Sequence, residues 1–191
     1  MTAALITAPA LEPVSLDDAK AHLRLDGDDE DDLVAAAIVA ARVHVEAATR
    51  RVLIEQSWRV YLDAWPRNRM VTVPVAPLLG VDAVTVYDAA GAPHTVATDA
   101  YQVDAATVPG RLVLLPSAPA PVGRAVNGIE IDVTAGYGVS SVAVPAPLRQ
   151  AIMMLVAHWY EQRGAVGHDL AFVTAPLGFE ALIAPYRILF L

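Results

Sequence analysis

No cysteine occurs among the 191 residues, which removes disulfide scaffolds, thiolate metal sites and cysteine nucleophiles together and leaves the redox compartment open. Lysine is almost as scarce: Lys20 stands alone, every other basic side chain is arginine, and the formal net charge is -8. A surface built to neutralise nucleic-acid phosphates is not expected from that balance. Acidity instead helps keep an alanine-rich chain, 55% hydrophobic, in solution. Long apolar runs are missing too. Val34 to Ala41 and Ala151 to Ala157 fall far short of the roughly 18 residues that span a bilayer, so neither a transmembrane helix nor a membrane partner is expected. The amino end, with Pro9 and Pro13, lacks the basic start and apolar core of a signal peptide, and the chain is expected to stay where it is made.

What is present is periodic. Ser15 with Asp18 forms a short-side-chain capping box, and Leu16, Ala19 and Leu23 follow at helical spacing, predicting a first helix that ends near Asp26-Gly27. A second, longer helix is predicted from about Glu30 to Val52, with Val34, Ile38, Ala41, Val45, Ala48 and Val52 on one stripe. Ala36, Ala37, Ala40 and Ala47 flank it with side chains small enough for another backbone to approach. Asp31 and Asp32 at its start and Arg50 and Arg51 at its end suit the helix dipole.

From Ser57 the period becomes two. Segments at Ser57 to Ala64, Val71 to Val75, Val81 to Tyr87, Thr95 to Ala97, Tyr101 to Val103, Leu112 to Leu115 and Ile129 to Thr134 read as short strands. Asp88-Ala-Ala-Gly91 and Asn127-Gly128 are the clearest hairpin signals among their turns. After Gly136-Tyr-Gly138, the positions Leu148, Ile152, Leu155, Val156 and Trp159 return to helical spacing, with Pro145 and Pro147 at the start and Gly164 available to end the helix. The last four residues, Ile188 to Leu191, are all large and apolar, and such an end either tucks into the chain's own core or meets a partner.

Chemistry-bearing constellations do not assemble. The run Asp26 to Asp31 has Asp31 and Ala37 where a calcium-binding loop needs Gly and Glu. His158 and Glu161 share a helical face but have no third ligand. Gly136-Tyr-Gly138 lacks the Lys-Ser/Thr of a phosphate loop, and Ser140 and Ser141 lack the glycines of a nucleophile elbow. Trp58, Trp65 and Trp159 are not interleaved with basic residues and read as core or subunit-contact aromatics. No catalytic residue, metal site or cofactor is expected.

The order of segments resembles the phage head-tail connector (adaptor) family, in the subgroup with a β-rich insertion between its helices. The likeness is carried by Glu12-Pro-Val-Ser-Leu-Asp-Asp-Ala-Lys-Ala-His-Leu-Arg-Leu-Asp26, by Asp31-Asp-Leu-Val34 running to Glu46-Ala-Ala-Thr-Arg50, by Ala135-Gly-Tyr-Gly138 with Val144-Pro-Ala-Pro-Leu148, and by His158-Trp-Tyr-Glu161 with Arg163. Pro176-Leu-Gly178 leading to Leu182-Ile-Ala-Pro-Tyr-Arg187 adds a weaker likeness, and Ile188 to Leu191 extend beyond the family's usual end.

The resemblance implies a structural protein at the neck of a phage or gene transfer agent, assembled in the bacterial cytoplasm. It implies a homo-oligomeric ring of about twelve subunits, with the portal protein above, a stopper or tail protein below, and DNA passing through without specific binding. The expected fold is α+β: a small helical bundle with an inserted antiparallel β-sheet or sandwich domain and a C-terminal docking tail. Residues 1–56 are assigned to the N-terminal helical part, 57–144 to the insertion, and 145–191 to the helix and tail that complete the helical part. The helical core is expected from Val34, Ile38, Val45, Leu148, Ile152, Leu155 and Trp159. Portal contact is expected from Tyr186, Arg187, Ile188, Leu189, Phe190 and Leu191. Other readings are a stopper or tail terminator, a small hydrolase, and a small-ligand module in the β part.

Overall fold

A computed structural model describes residues 1–119, 123–162 and 176–188. The chain is α+β and divides into two compact units, a β unit of Met1–Pro9 with Glu55–Tyr137 and a helical unit of Ala10–Ile54 with Gly138–Leu191.

The β unit holds two antiparallel sheets. Strands β1 (Thr2–Thr7), β2 (Gln56–Leu62), β4 (Leu78–Tyr87), β5 (Pro93–Thr95) and β8 (Ile129–Ala135) form the larger one in the order β1-β2-β8-β4-β5. Strands β3 (Met70–Thr72), β6 (Tyr101–Asp104) and β7 (Arg111–Leu114) form the smaller, in the order β3-β7-β6. Alternation sorts the larger sheet into two faces. Val60, Leu62, Ile129, Ile131 and Val133 are buried, while Arg59, Glu130 and Asp132 lie on the opposite side. There Arg59 donates to both Asp132 oxygens, at 2.6 and 2.9 Å, and lies 3.2 Å from Glu130, which accepts from the Tyr87 hydroxyl at 2.9 Å. The hydrogen bond to Asp132 is the main cause that holds the Arg59 pKa above its ordinary value.

Two expectations are corrected here. Residues 1–56 are not all helical, because β1 pairs along β2 from Thr2 opposite Tyr61 to Thr7 opposite Ser57, joining the first nine residues to the β unit. Asn127-Gly128 does not turn a hairpin. It follows β7, yet β8 leaves the smaller sheet and pairs between β2 and β4. Asn127 adopts φ 48, and a Cβ on Gly128 would sit 2.4 Å from the Arg124 carbonyl oxygen, so the pair places a close backbone crossing at the start of β8. Asp88 to Gly91 does turn β4 into β5: the Asp88 carboxylate accepts from the Ala90 and Ala92 N–H groups at 2.9 Å each, and Gly91 takes φ 86. The Ala92 N–H first, then the His94 ring and the Ala90 N–H, hold the Asp88 carboxyl below the usual carboxylate range.

The helical unit contains α1 (Leu16–Leu23), α2 (Asp31–Thr49), α3 (Ala146–Glu161) and α4 (Phe179–Ile183). The Ser15 hydroxyl accepts from the Asp18 N–H at 3.1 Å and donates to the Asp18 carboxylate at 2.7 Å, starting α1. Helices α1 and α2 both stop short of their expected ends, because Arg24 and Arg50 turn left-handed at φ 58. Gly164 lies outside the described residues. Helix α2 packs on α3, and α3 on α4.

Gly110, just before β7, approaches β4 closely, since a Cβ there would lie 2.6 Å from the Leu78 Cβ and 2.7 Å from its Cδ2. Leu78 is buried and cannot swing away. Gly110→Ala is therefore expected to cost about 1–3 kcal/mol through overpacking, read by denaturant unfolding; an unchanged midpoint would show that the two strands separate freely.

Candidate assembly surface

Helix α2 is apolar on two opposite sides. Val34, Ile38, Ala41 and Val45 are buried. On α3, Leu148, Ile152 and Leu155 are buried as well. Trp159, assigned to the same core, is only half-buried and meets the His44 ring edge-on at 6.0 Å, and the Phe179 ring lies tilted to His44 at 5.7 Å. The outer side of α2 carries Leu33, Ala36, Ala40, Val43 and Ala47 at alternating spacings of three and four, all exposed. Leu33, Val39 and Val43 expose 44%, 42% and 51% of their surface. A helix apolar all round ordinarily belongs inside a larger structure.

Past the first turn an ion pair, Arg42 with Glu46, interrupts the apolar surface, and its cation is not left in water. Arg42 is buried on the flank of α2, where its Nε donates to Glu12 at 2.7 Å and its NH1 to Glu46 at 2.8 Å. Burial opposes its charge, but the hydrogen bonds and charges of the two carboxylates outweigh it and hold its pKa above the ordinary value. Glu46 uses its other oxygen to accept the Leu53 N–H at 2.9 Å. Glu12 and Leu53 lie near two of the three points where the chain passes between its units, so a single guanidinium fixes how the helical unit begins and how it leaves α2. This site was missed in the sequence, although Arg42 and Glu46 at i and i+4 inside an apolar helix were visible there.

The expected portal-contact segment divides. Tyr186, Arg187 and Ile188 are seated on the helical unit: the Tyr186 carbonyl accepts from the Arg51 Nε at 2.6 Å, Arg187 pairs with Glu180 at 2.7 Å, and Ile188 is buried. The Ile188 N–H reaches the Thr49 carbonyl at 3.1 Å, giving a partner to one of the acceptors that a helix leaves open at its end. Leu189, Phe190 and Leu191 lie outside the described residues. The acidic run before α2 is bound to the sole lysine, with Lys20 Nζ 2.9 Å from Asp28 and 2.6 Å from Asp31. Among the described residues no three His, Asp or Glu side chains gather to hold a metal, and no helix is long and apolar enough to cross a membrane. A hollow of about 420 Å³ in the β unit lies against His94, Asp99 and Ser117.

Residues 13–86 match the sequence profile of the phage gp6-like head-tail connector protein family. The whole chain is similar to a protein in a structure described as the neck of an empty gene transfer agent particle computed with C6 symmetry, with 31% identity over 100% of this chain and 97% of that one and a TM-score of 0.81. It is similarly related to a protein of the virion of a native gene transfer agent particle (30% identity, the same coverages, TM-score 0.81). A third similar protein lies in the neck of a native particle computed with C12 symmetry, at 32% identity, the same coverages and a TM-score of 0.77. No curated protein sequence matches the chain.

Arg42→Met keeps the volume but removes the guanidinium that Glu12 and Glu46 share. It is expected to destabilise the helical unit by about 3 kcal/mol, and adding Glu12→Gln with Glu46→Gln is expected to recover part of that. Denaturant melts that are additive across the three changes would show that no network couples them.

Proposed function

We infer the role of this chain from its family: it belongs to the phage gp6-like head-tail connector family. It is a structural connector of a phage-like particle, located in the neck. The observation that carries this is the full-length likeness to gene transfer agent neck proteins at 31–32% identity, in which helical and β units are matched together over 97% of the relative.

In finer detail, copies of the chain close into a ring beneath the portal, joining capsid to tail around the channel through which DNA leaves. The C6 and C12 symmetries of the similar necks support a ring, and twelve copies satisfy both. The portal lies above and a stopper or tail protein below. The net charge of -8 suits a wall past which phosphates slide without adhering. The role is structural, with no bond of any substrate made or broken and no cofactor used.

The carboxyl end supplies the portal contact. The seat formed by Thr49 and Arg51 holds Tyr186 to Ile188, the start of the segment assigned to that contact.

Electron microscopy of the purified chain mixed with portal is the direct test: rings docked on portal are expected. Binding to tail tube and not to portal would identify a stopper or terminator instead. Deleting residues 189–191 is expected to abolish portal docking without changing thermal stability, whereas truncation from Tyr186 also lowers stability by removing the Tyr186 carbonyl that Arg51 binds and the Ile188 N–H that Thr49 accepts. Portal affinity unchanged by the shorter deletion would overturn the assignment of the tail.

A further inference from the structure

We propose that the outer face of α2, centred on Ala40 and Val43, is the surface through which each copy of this chain grips the next copy in the ring. The inference rests on the connector reading and names the surface that the reading leaves open.

The face has the chemistry of a contact and not of a solvated helix. Leu33, Ala36, Ala40, Val43 and Ala47 recur at spacings of three and four, which keeps them in one line along a helix about 28 Å long. Val39 widens the line on one side. Formal charge on this line is confined to the ends, with Asp32 at the start and Arg50 after the last turn, and the exposed His44 ring borders it beside Ala40 and Ala47. The one cation within the helix, Arg42, is turned to the flank and consumed by Glu12 and Glu46, so it does not wet this face. The alanines admit a second backbone at the short end of the usual helix packing distances, near 8 Å. Leu33 and Val43 supply side chains large enough to seat in it.

A second copy is the occupant that fits. In a closed cyclic ring each subunit presents two different surfaces to its two neighbours, and at least one must be apolar and extended enough to hold the ring. The necks computed with C6 and C12 symmetry contain full-length relatives of this chain, so a symmetric neck sets several copies around one axis, where an apolar face of each copy is suited to meet the next. Within the helical unit, Val34, Ile38, Ala41 and Val45 already serve the core of α2, which leaves its opposite side for the neighbour. Because the contact is heterologous, this face meets a different surface of the next copy, and α2 does not pair with its own equivalent.

A benzophenone amino acid is placed at Val43 or, in a separate variant, at Leu33, and the full chain is produced in cells assembling particles, which are purified and irradiated. The expected product is a ladder of covalent multiples of the 20.2 kDa chain extending beyond the dimer. Val43→Glu and Ala40→Glu are expected to retain the helix content and melting temperature of the wild type but to be lost from particles. A ladder that stops at the dimer shows α2 pairing with itself and overturns the proposal. So do cross-links made solely to another neck protein, or none at either position, in particles that contain the chain. Particles that never incorporate the unsubstituted chain overturn the connector reading itself, a result separable from the others by blotting before irradiation.

Discussion

The guanidinium of Arg42 is the interaction on which the helical unit depends. Removing a cation from water costs several kcal/mol, and that cost is met only because two carboxylates converge on it with hydrogen-bond geometry. The consequence is positional. Glu12 lies in the segment before α1, and Glu46 carries its second oxygen to the backbone of Leu53, beyond the end of α2. Three stretches of chain that share no hydrophobic period are thus tied to one flank of one helix.

With that flank fixed, α2 is left with two apolar sides and, among the described residues, one set of core partners. The inner side is filled from α3, as Leu148, Ile152 and Leu155 join Val34, Ile38 and Val45 in the buried set. The outer side has the composition of a core and the exposure of a surface. For an enzyme that would be a liability to aggregation. For a connector that works as one of a ring it is the ordinary condition of a subunit before assembly. The end of the same helix has a second duty, since the Thr49 carbonyl and Arg51 hold the chain at Tyr186 and Ile188 before its last three residues.

Elements with a strong local period were legible in the sequence. The stripes of α2 and α3 and the alternation of β2, β4 and β8 express an environment that each residue shares with neighbours two, three or four positions away. Strand β1 was not legible. Its Thr2, Ala3 and Ala4 offer almost no alternation, it lies at the sheet edge, and pairing with β2 is what makes it a strand. Trp159 was legible as part of a helical stripe but not as a half-buried ring against His44, because the stripe sets a direction and the neighbouring elements decide how far it is covered.

By itself, then, the sequence determined the two periodicities, the acidic and cysteine-free character, and the order of segments that marks the connector family, since all of these are properties of residues near one another in the chain or of their sum. Only the tertiary structure decided that β8 slots between β2 and β4, that Glu12 closes on Arg42 from thirty residues away, and that Ile188 caps Thr49. Those pairings join segments whose own patterns are indifferent to one another, and what selects them is the need to satisfy buried polar groups once the chain is compact.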